Sequence, residues 1–370
     1  MAQNLEQLSE EIRSQILSRE DHFVEDSQQM EDKVLAEVLR STSGGYLPLV
    51  TRLKLVRQIT ASLVGLDVLE PLMQDPSVDE IMVMGHSKIY TERHGRLVKE
   101  NISFYDNDRL MNVIRKVAIG MDRQVNQSCP IADLRLPDGS RVNVVLPPIS
   151  MNGPVVTIRK FSPSPFTLER LVDLGSITKE QAILLKELVE GRKNIFVSGG
   201  TGTGKTSLLN ALSRQIPGDQ RVVTIEDSAE LMFSNVDNLV RLECRTANVE
   251  GQGEISMDQL IRTALRLRPD RIIVGEVRGP EVVSMLQAMN TGHLGSMSTG
   301  HGNSPQDMLR RLETMFLMGM DIPISAVRRQ IGSAIDYIVH LERTKDYGRR
   351  VSEICRVIED GEDNKVIRIC

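Results

Sequence analysis

Tryptophan is absent from this chain, and aromatic residues as a whole make up 3% of its 370 residues. Grooves that hold single-stranded nucleic acid stack bases on aromatic rings within a basic surface. A chain with few rings and a net charge of −5 offers neither. Cysteine is scarce too: Cys129, Cys244, Cys355 and Cys370 lie far apart with no CxxC pair, so the sequence suggests neither a zinc knuckle nor a disulfide framework. Reduced thiols in a cytosol are expected. No apolar run approaches the ~20 residues of a membrane-spanning helix, and the N-terminus lacks the basic-then-apolar layout of a signal peptide. Any membrane association is therefore expected to be peripheral. The acidic excess is local, because residues 1 to 40 carry ten acidic and four basic side chains and the remainder is nearly neutral. What is left is ordinary globular composition, 40% apolar and 26% charged, at a length suited to two or three domains.

Against that background one motif stands out. Gly199-Gly200-Thr201-Gly202-Thr203-Gly204-Lys205-Thr206 spells GxxxxGK[ST] between an apolar strand-like run (Ile195-Phe196-Val197) and a helix-like run that begins at Ser207. Glycines let the backbone N–H groups wrap an anion, the helix N-terminus adds partial positive charge, Lys205 reaches the β- and γ-phosphates and Thr206 ligates Mg²⁺. The residues from Gly199 to Ser207 are therefore the candidate ATP-binding loop.

The texture around this loop divides the chain. Leu5, Leu8, Ile12 and Ile16, then Val34, Leu35, Val38 and Leu39, then Leu53, Val56, Ile59 and Leu63 recur at three-to-four spacing, so residues 1–64 read as a helical bundle with a solvated acidic face. Residues 65–160 read as an α+β domain, with short strands over 80–84 and 88–92, a turn at His94-Gly95, a helix over 108–119, and a hairpin folded at Pro137-Asp138-Gly139. Ser162-Pro163-Ser164-Pro165 can continue neither a helix nor a central strand, so a linker is expected over 161–168. From 169 to 370, short apolar strands at 194–198, 221–226 and 271–274 alternate with helical stretches, the signature of a parallel sheet in an α/β P-loop NTPase domain. The tail, 337–342, 349–358 and 365–369 with turns near Gly348 and Gly361, reads as an antiparallel meander.

Hydrolysis needs more than a phosphate loop: something must position water, and something must neutralise charge on the transferring group. The strand Arg271-Ile272-Ile273-Val274 ends in Gly275-Glu276, which lifts a carboxylate to the sheet edge where a nucleotide lies. Glu276 is the expected water-orienting residue. P-loop enzymes ordinarily carry an Asp in this strand, and here Gly275 stands before the acid. Two further segments are unusual. Glu226, Asp227 and Glu230 follow another apolar strand, and His293 and His301 bracket a run of small hydroxylated residues suited to sensing a γ-phosphate.

Phosphate loop, acidic box, strand ending in Gly-Glu and histidine box, in that order, resemble the motor ATPases of type II secretion, type IV pilus and type IV secretion systems. The resemblance runs from about Gly65 to Ile358. Val68-Leu69-Glu70-Pro71-Leu72, Ser77 to Val83, and Leu265 to Arg278 look most like the CpaF/Tad ATPases that drive Flp pili, with the type IV secretion ATPases close behind. The tetracysteine zinc module of the GspE branch is missing. The resemblance implies a RecA-like ATPase domain, ATP and Mg²⁺ as substrate and cofactor, and catalytic roles for Lys205, Glu276, Glu226, Asp227, Glu230, His293 and His301. It implies a homo-hexamer, with the nucleotide between N-terminal and ATPase domains, working in the cytoplasm against polytopic inner-membrane platform proteins. Arg135, Arg141, Arg159, Arg241 and Arg245 match arginine positions of the family pattern and are expected to contact nucleotide, guanidinium forks being suited to phosphate oxygens. Arg271, Arg278, Arg310 and Arg311 are expected to be structural.

The function expected is thus a motor that powers Flp/Tad pilus assembly, or retraction, or a related secretion system; the alternative is a type IV secretion traffic ATPase serving substrate transfer or conjugation. Two other classes compete. A helicase-like ring motor would bind single-stranded DNA, which the composition disfavours, so no nucleic-acid partner is expected. A scaffold that binds nucleotide with negligible turnover would show no steady-state phosphate release.

Overall fold

Apolar stripes on three helices meet at the N-terminus. In the computed structural model, which describes residues 2–18, 27–42, 47–93, 95–121, 123–161, 166–245, 247, 252–344, 348–360 and 363–370, α1 (Ala2–Leu17), α2 (Ser27–Ser41) and α3 (Leu49–Val64) bury Ile12, Val34, Val38, Val56 and Ile59 in one cluster. These helices share a compact unit with the α+β segment after them, since residues 1–161 form one unit and 162–370 a second. After a short helix, α4 (Glu70–Gln74), come β1 (Glu80–Met84), β2 (Lys88–Arg93), β3 (Arg96–Lys99), α5 (Asn107–Ile119), β4 (Ile131–Arg135), β5 (Arg141–Val145) and β6 (Val155–Arg159). The strands make an antiparallel sheet in the order β3-β2-β1-β6-β5-β4. The hairpin expected around Pro137-Asp138-Gly139 is β4–β5, its turn held by the Ser140 N–H donating to Asp138 Oδ1 at 2.9 Å. β6, which the sequence pattern does not announce as a strand, lies between β1 and β5 and joins the two hairpins.

Cations on α5 tie the N-terminal helices to it. Arg109 of α5 donates to Asp67 Oδ2 (2.9 Å from Nε) and to Glu10 Oε2 of α1 (2.7 Å). The Asp67 carboxylate is nearly inaccessible to solvent and its backbone is left-handed (φ 58°). Lys116, also on α5, donates from Nζ to the carbonyls of Ser62, Leu63 and Gly65 (3.2, 3.3 and 2.7 Å). The last carbonyls of α3 lack intrahelical partners, and a cation placed there answers both their hydrogen bonding and the helix dipole.

The second unit contains α6 (Leu168–Asp173), α7 (Lys179–Glu190), β7 (Ile195–Gly199), α8 (Lys205–Ser213), β8 (Val222–Glu226), β9 (Leu239–Glu243), α9 (Met257–Ala264), β10 (Arg271–Val274), α10 (Val282–Asn290), β11 (Met297–Gly300), α11 (Pro305–Gly319), α12 (Ile324–Ala334), β12 (Tyr337–Arg343), β13 (Arg349–Asp360) and β14 (Asp363–Arg368). Among the described residues these strands form one sheet in the order β14-β13-β12-β7-β11-β10-β8-β9. β7, β8, β10 and β11 are buried along their whole length, as expected of a parallel sheet covered on both faces. Two buried clusters, one containing Phe196, Ile225, Ile272 and Phe316 and the other Ile195, Val197, Leu209 and Ile273, show both faces covered.

Three sequence expectations shift. The histidine-box stretch, expected to be a sensor segment, contains a central strand, β11. The edge strand β9 lies outside the strands expected from the sequence. The tail strands are antiparallel to one another as their turns suggest, but β12 also lies parallel to β7 and so continues the main sheet. The Ser162-to-Pro165 linker, His94 of the expected turn, and Gly361 of the last turn lie outside the described residues.

Arg109→Ala strands the buried Asp67 charge and is expected to cost about 3 kcal/mol, read as a lowered urea midpoint for the N-terminal unit. Glu10→Gln, at the more exposed end of the same network, is expected to cost under about 1 kcal/mol.

Candidate functional site

The site forms at the C-terminal ends of β7, β10, β11 and β8, the edge at which parallel sheets present loops to ligands. β7 ends in Gly199, whose φ of 156° leads into the loop; a Cβ there would lie 2.5 Å from the Leu341 carbonyl oxygen and 2.7 Å from Thr203 Oγ1. Gly204 caps α8 in a left-handed conformation (φ 95°) that a side chain would strain. Lys205 is the first residue of α8 and is 8% exposed. Its ammonium donates to the carbonyls of Gly199 (3.1 Å) and Gly200 (3.0 Å), and Thr203 Oγ1 donates to Gly200 O at 2.9 Å. Thr206 and Ser207 follow in the first turn of α8, partly accessible.

Parallel pairing of β11 with β7 sets Gly300 beside Ser198. His301, the next residue, therefore arrives beside the loop. Its Nδ1 is 3.3 Å from Lys205 Nζ and its Nε2 is 2.9 Å from Glu276 Oε1. An ammonium can only donate, so Nδ1 must carry the lone pair and the neutral ring keeps its proton on Nε2, the atom in close contact with a Glu276 Oε1 that is buried and accepts no aligned hydrogen bond. Burial, reinforced by Lys205, holds His301 below the ordinary histidine pKa. The neutral ring thus connects the phosphate-binding cation to the candidate water-orienting acid.

Glu276 is held on its other side by Arg278, which donates to Oε2 from Nε (3.0 Å) and Nη2 (2.7 Å) and stands 3.8 Å from Asp227 Oδ2. The sequence alone suggests only a structural role for Arg278. Its spacing, two residues beyond the acid at the open end of β10, is the signal that could have marked it.

The acidic box has a divided arrangement. Glu226 ends β8, is 3% exposed, and accepts from the N–H groups of Glu230 (2.7 Å) and Leu231 (2.8 Å) through Oε2, while Oε1 is buried with no hydrogen-bond partner. Burial raises its pKa. Beside it, Val274 of β10 pairs with Ile225 of β8, which brings Gly275 level with Glu226; a Cβ on Gly275 would lie 3.1 Å from Glu226 Cγ. The glycine that replaces the usual aspartate therefore makes room for a carboxylate from the next strand. Asp227 is exposed beside Arg278, and Glu230 contributes its backbone N–H.

Other expected residues do not join this cluster. His293 sits before β11, at the opposite edge of the sheet from the loop, about 13 Å of strand away, where its ring donates from Nδ1 to Ala288 O at 3.1 Å. Strand β11 separates it from His301, the other residue of the histidine box. Arg241, on edge strand β9, donates to Leu231 O (3.1 Å) and steadies the acidic box. Arg245 donates to Gly253 O (2.6 Å) and closes a loop through its backbone bridge to Ile255. These contacts direct both arginines to backbone carbonyls of their own surroundings. In the N-terminal unit the sheet register places Arg135, Arg141 and Arg159 side by side on β4, β5 and β6, followed by Glu80 on β1. Like charges on adjacent strands repel, so three neighbouring guanidiniums make an anion-attracting row. Arg271 is fully buried, donating from Nε to Gln220 Oε1 at 2.6 Å, and Arg310 pairs with Asp307 at 3.4 Å.

A match to a family of known proteins accompanies this geometry. The model for the Type II/IV secretion system protein family covers residues 62–360. The chain belongs to that family. Relatives include the conjugal transfer protein TrbB of Rhizobium radiobacter, 35% identical over 82% of this chain and 90% of that one, and the type IV secretion system protein VirB11 of Brucella suis, 31% identical over 78% of this chain and 88% of that one. Among solved structures, the ATPase DotB of Legionella pneumophila aligns with a TM-score of 0.56 at 22% identity over 80% of each chain, a likeness of fold.

Two outcomes test the site. Gly275→Asp, which restores the ordinary aspartate, is expected to displace Glu226 and lower thermal stability by roughly 1–3 kcal/mol. Because the folded pKa of His301 is depressed, the unfolded chain binds more protons just below neutrality; stability falls as pH drops from the ordinary histidine pKa through the folded one. His301→Gln is expected to flatten that part of the stability–pH curve.

Proposed function

We propose that this chain is a motor ATPase of a type IV secretion or conjugal transfer machine, hydrolysing Mg²⁺-ATP. The observation that carries the reading is the continuous contact from Lys205 through neutral His301 to Glu276. It supplies a phosphate-binding cation and a water-orienting carboxylate, with a ring between them that responds to both. Lys205 and the loop amides take the β- and γ-phosphates. Glu276 orients water in line with the γ-phosphate through Oε1, which lies 2.9 Å from His301 Nε2 and is buried with no hydrogen-bond partner among the described residues. Arg278 holds Oε2. Catalysis is then positioning and charge neutralisation with no covalent intermediate.

The donor set fits Mg²⁺. Such ions are usually held by one or two protein oxygens together with substrate phosphates and water, and among the described residues no preformed metal cluster of acids, histidines and cysteines exists. The Thr206 hydroxyl would ligate the ion, and the orphaned Oε1 of Glu226 would hold one of its waters. When bound, the ion supplies positive charge to the phosphate oxygens. The row Arg135, Arg141 and Arg159 is proposed to contact the nucleotide's phosphates, and a homo-hexamer is the proposed assembly. No described helix is long and apolar enough to cross a membrane; the proposed location is cytoplasmic, peripheral to the inner membrane and engaged with its polytopic platform proteins.

The names of the relatives support transfer or conjugation better than the Flp/Tad pilus role suggested by the segments Val68–Leu72, Ser77–Val83 and Leu265–Arg278. The pilus role stands as the second reading on those segments alone.

Lys205→Ala is expected to abolish ATP binding by calorimetry. Glu276→Gln is expected to bind ATP within about threefold of the parent and to lose at least about a hundredfold in steady-state phosphate release. Parent-like turnover by the glutamine variant would remove Glu276 from its role. No phosphate release by the parent would favour the scaffold, and salt-dependent binding of single-stranded DNA with stimulated hydrolysis would favour the helicase-like motor.

A further inference from the structure

Two arginines outside the sequence motifs flank the phosphate loop from the tail of the chain. Arg343 ends β12 and Arg349 begins β13, and the antiparallel register sets them directly opposite each other. The preceding row of the same hairpin, Glu342 opposite Arg350, is a satisfied ion pair with Arg350 donating at 3.0 and 2.7 Å. Successive residues of a strand face opposite sides of the sheet. One face therefore carries a neutralised pair, while the face shared with Leu341 carries two positive charges. Among the described residues no carboxylate pairs with either arginine.

That face is turned to the loop. Arg343 Nε donates to the Gly202 carbonyl at 3.3 Å, and a Cβ on Gly202 would run into its guanidinium. At Gly204 a Cβ would meet Arg349 Cδ at 3.6 Å and Leu341 Cδ2 at 4.0 Å. A like-charge pair directly opposite across two strands is unfavourable by itself, and it becomes favourable when an anion lies within reach of both guanidiniums. The sheet order says which anion. β7, which carries the loop, has β11 with His301 on one side, with β10 and Glu276 beyond, and β12 on the other. The γ-phosphate must point toward β10 and β11, where Glu276 and His301 stand, so the β12 flank meets the opposite end of the triphosphate.

We infer that Arg343 and Arg349 form a binding site for the α-phosphate of the nucleotide, supplied by the tail hairpin of the ATPase unit itself. The inference rests on the proposed reading of the loop as a nucleotide site and adds two ligating residues to it. The tail strands then close the loop's outer side and make nucleotide affinity depend on the β12–β13 register.

Calorimetric titrations of the full chain with ATP, inorganic tripolyphosphate and inorganic pyrophosphate test it. Pyrophosphate fills only the two phosphate positions claimed by Lys205 and the loop amides. Arg343→Gln/Arg349→Gln is expected to weaken ATP and tripolyphosphate by about tenfold each and to leave pyrophosphate within about twofold. Retained pyrophosphate binding also shows that the loop is folded, and the single Arg349→Gln variant is expected to show the same pattern at smaller size. Equal loss for all three ligands overturns the assignment in favour of loop support. Loss for ATP alone overturns it in favour of ribose or base recognition, and no loss overturns it outright. A parent chain that binds pyrophosphate and ATP equally well overturns the α-phosphate site while leaving the loop reading intact; one that binds none of the three overturns both.

Discussion

A neutral imidazole wedged between an ammonium and a carboxylate is the contact on which the rest of the site depends. His301 can accept from Lys205 at Nδ1, with its Nε2 against Glu276, only while it is uncharged, and burial holds its pKa below the ordinary histidine value. Protonation would set an N–H against the lysine and break the connection on that side. The neighbours serve this arrangement. β11 delivers the ring next to Gly199, Thr299 Oγ1 donates to the Gly275 carbonyl at 2.8 Å, and the Val277 N–H donates to Thr299 O at 3.0 Å. The segment that follows β10, with its acid, is thereby fixed to the strand that leads into His301.

The phosphate loop is legible in the sequence because its chemistry is local: glycines that must adopt unusual dihedrals, then a lysine and a threonine at fixed offsets. Glu276 is legible for a similar reason, as an acid ending a short apolar strand. The pairing of Gly275 with Glu226 is not, because the two come from strands almost fifty positions apart and only the β8–β10 register joins them. The histidine box is half legible. Met297 to Gly300 is too short and too mixed to announce a strand, so the distance it opens between His293 and His301 cannot be read. Arg278 escapes notice because a salt bridge on the surface and a clamp on an active carboxylate look alike in one dimension. The same holds for Arg343 and Arg349, whose meeting depends on a hairpin that adds itself to a parallel sheet.

In the N-terminal unit, helical periodicity and turn chemistry mark the elements, while the ties among them rest on single charged residues. Arg109 reaches α1 and Asp67 together, and Lys116 closes the end of α3, so α5 organises the helices as well as covering the sheet. The arginine row of β4, β5 and β6 arises from register alone. Three residues separated by as many as twenty-four positions become neighbours once the strands pair.

The contact between Gly275 and Glu226 also bears on how this site can vary. Two strands share one small volume: β8 contributes the acid and Gly275, after β10, the space for it. A slip of one residue between them would turn Glu226 to the opposite face and fill that space with a side chain. A change at either position alone therefore strains its neighbour, a cost that a paired substitution can relieve. A chain built this way holds its acid by strand alignment, and a tolerant surface loop could not take over that task.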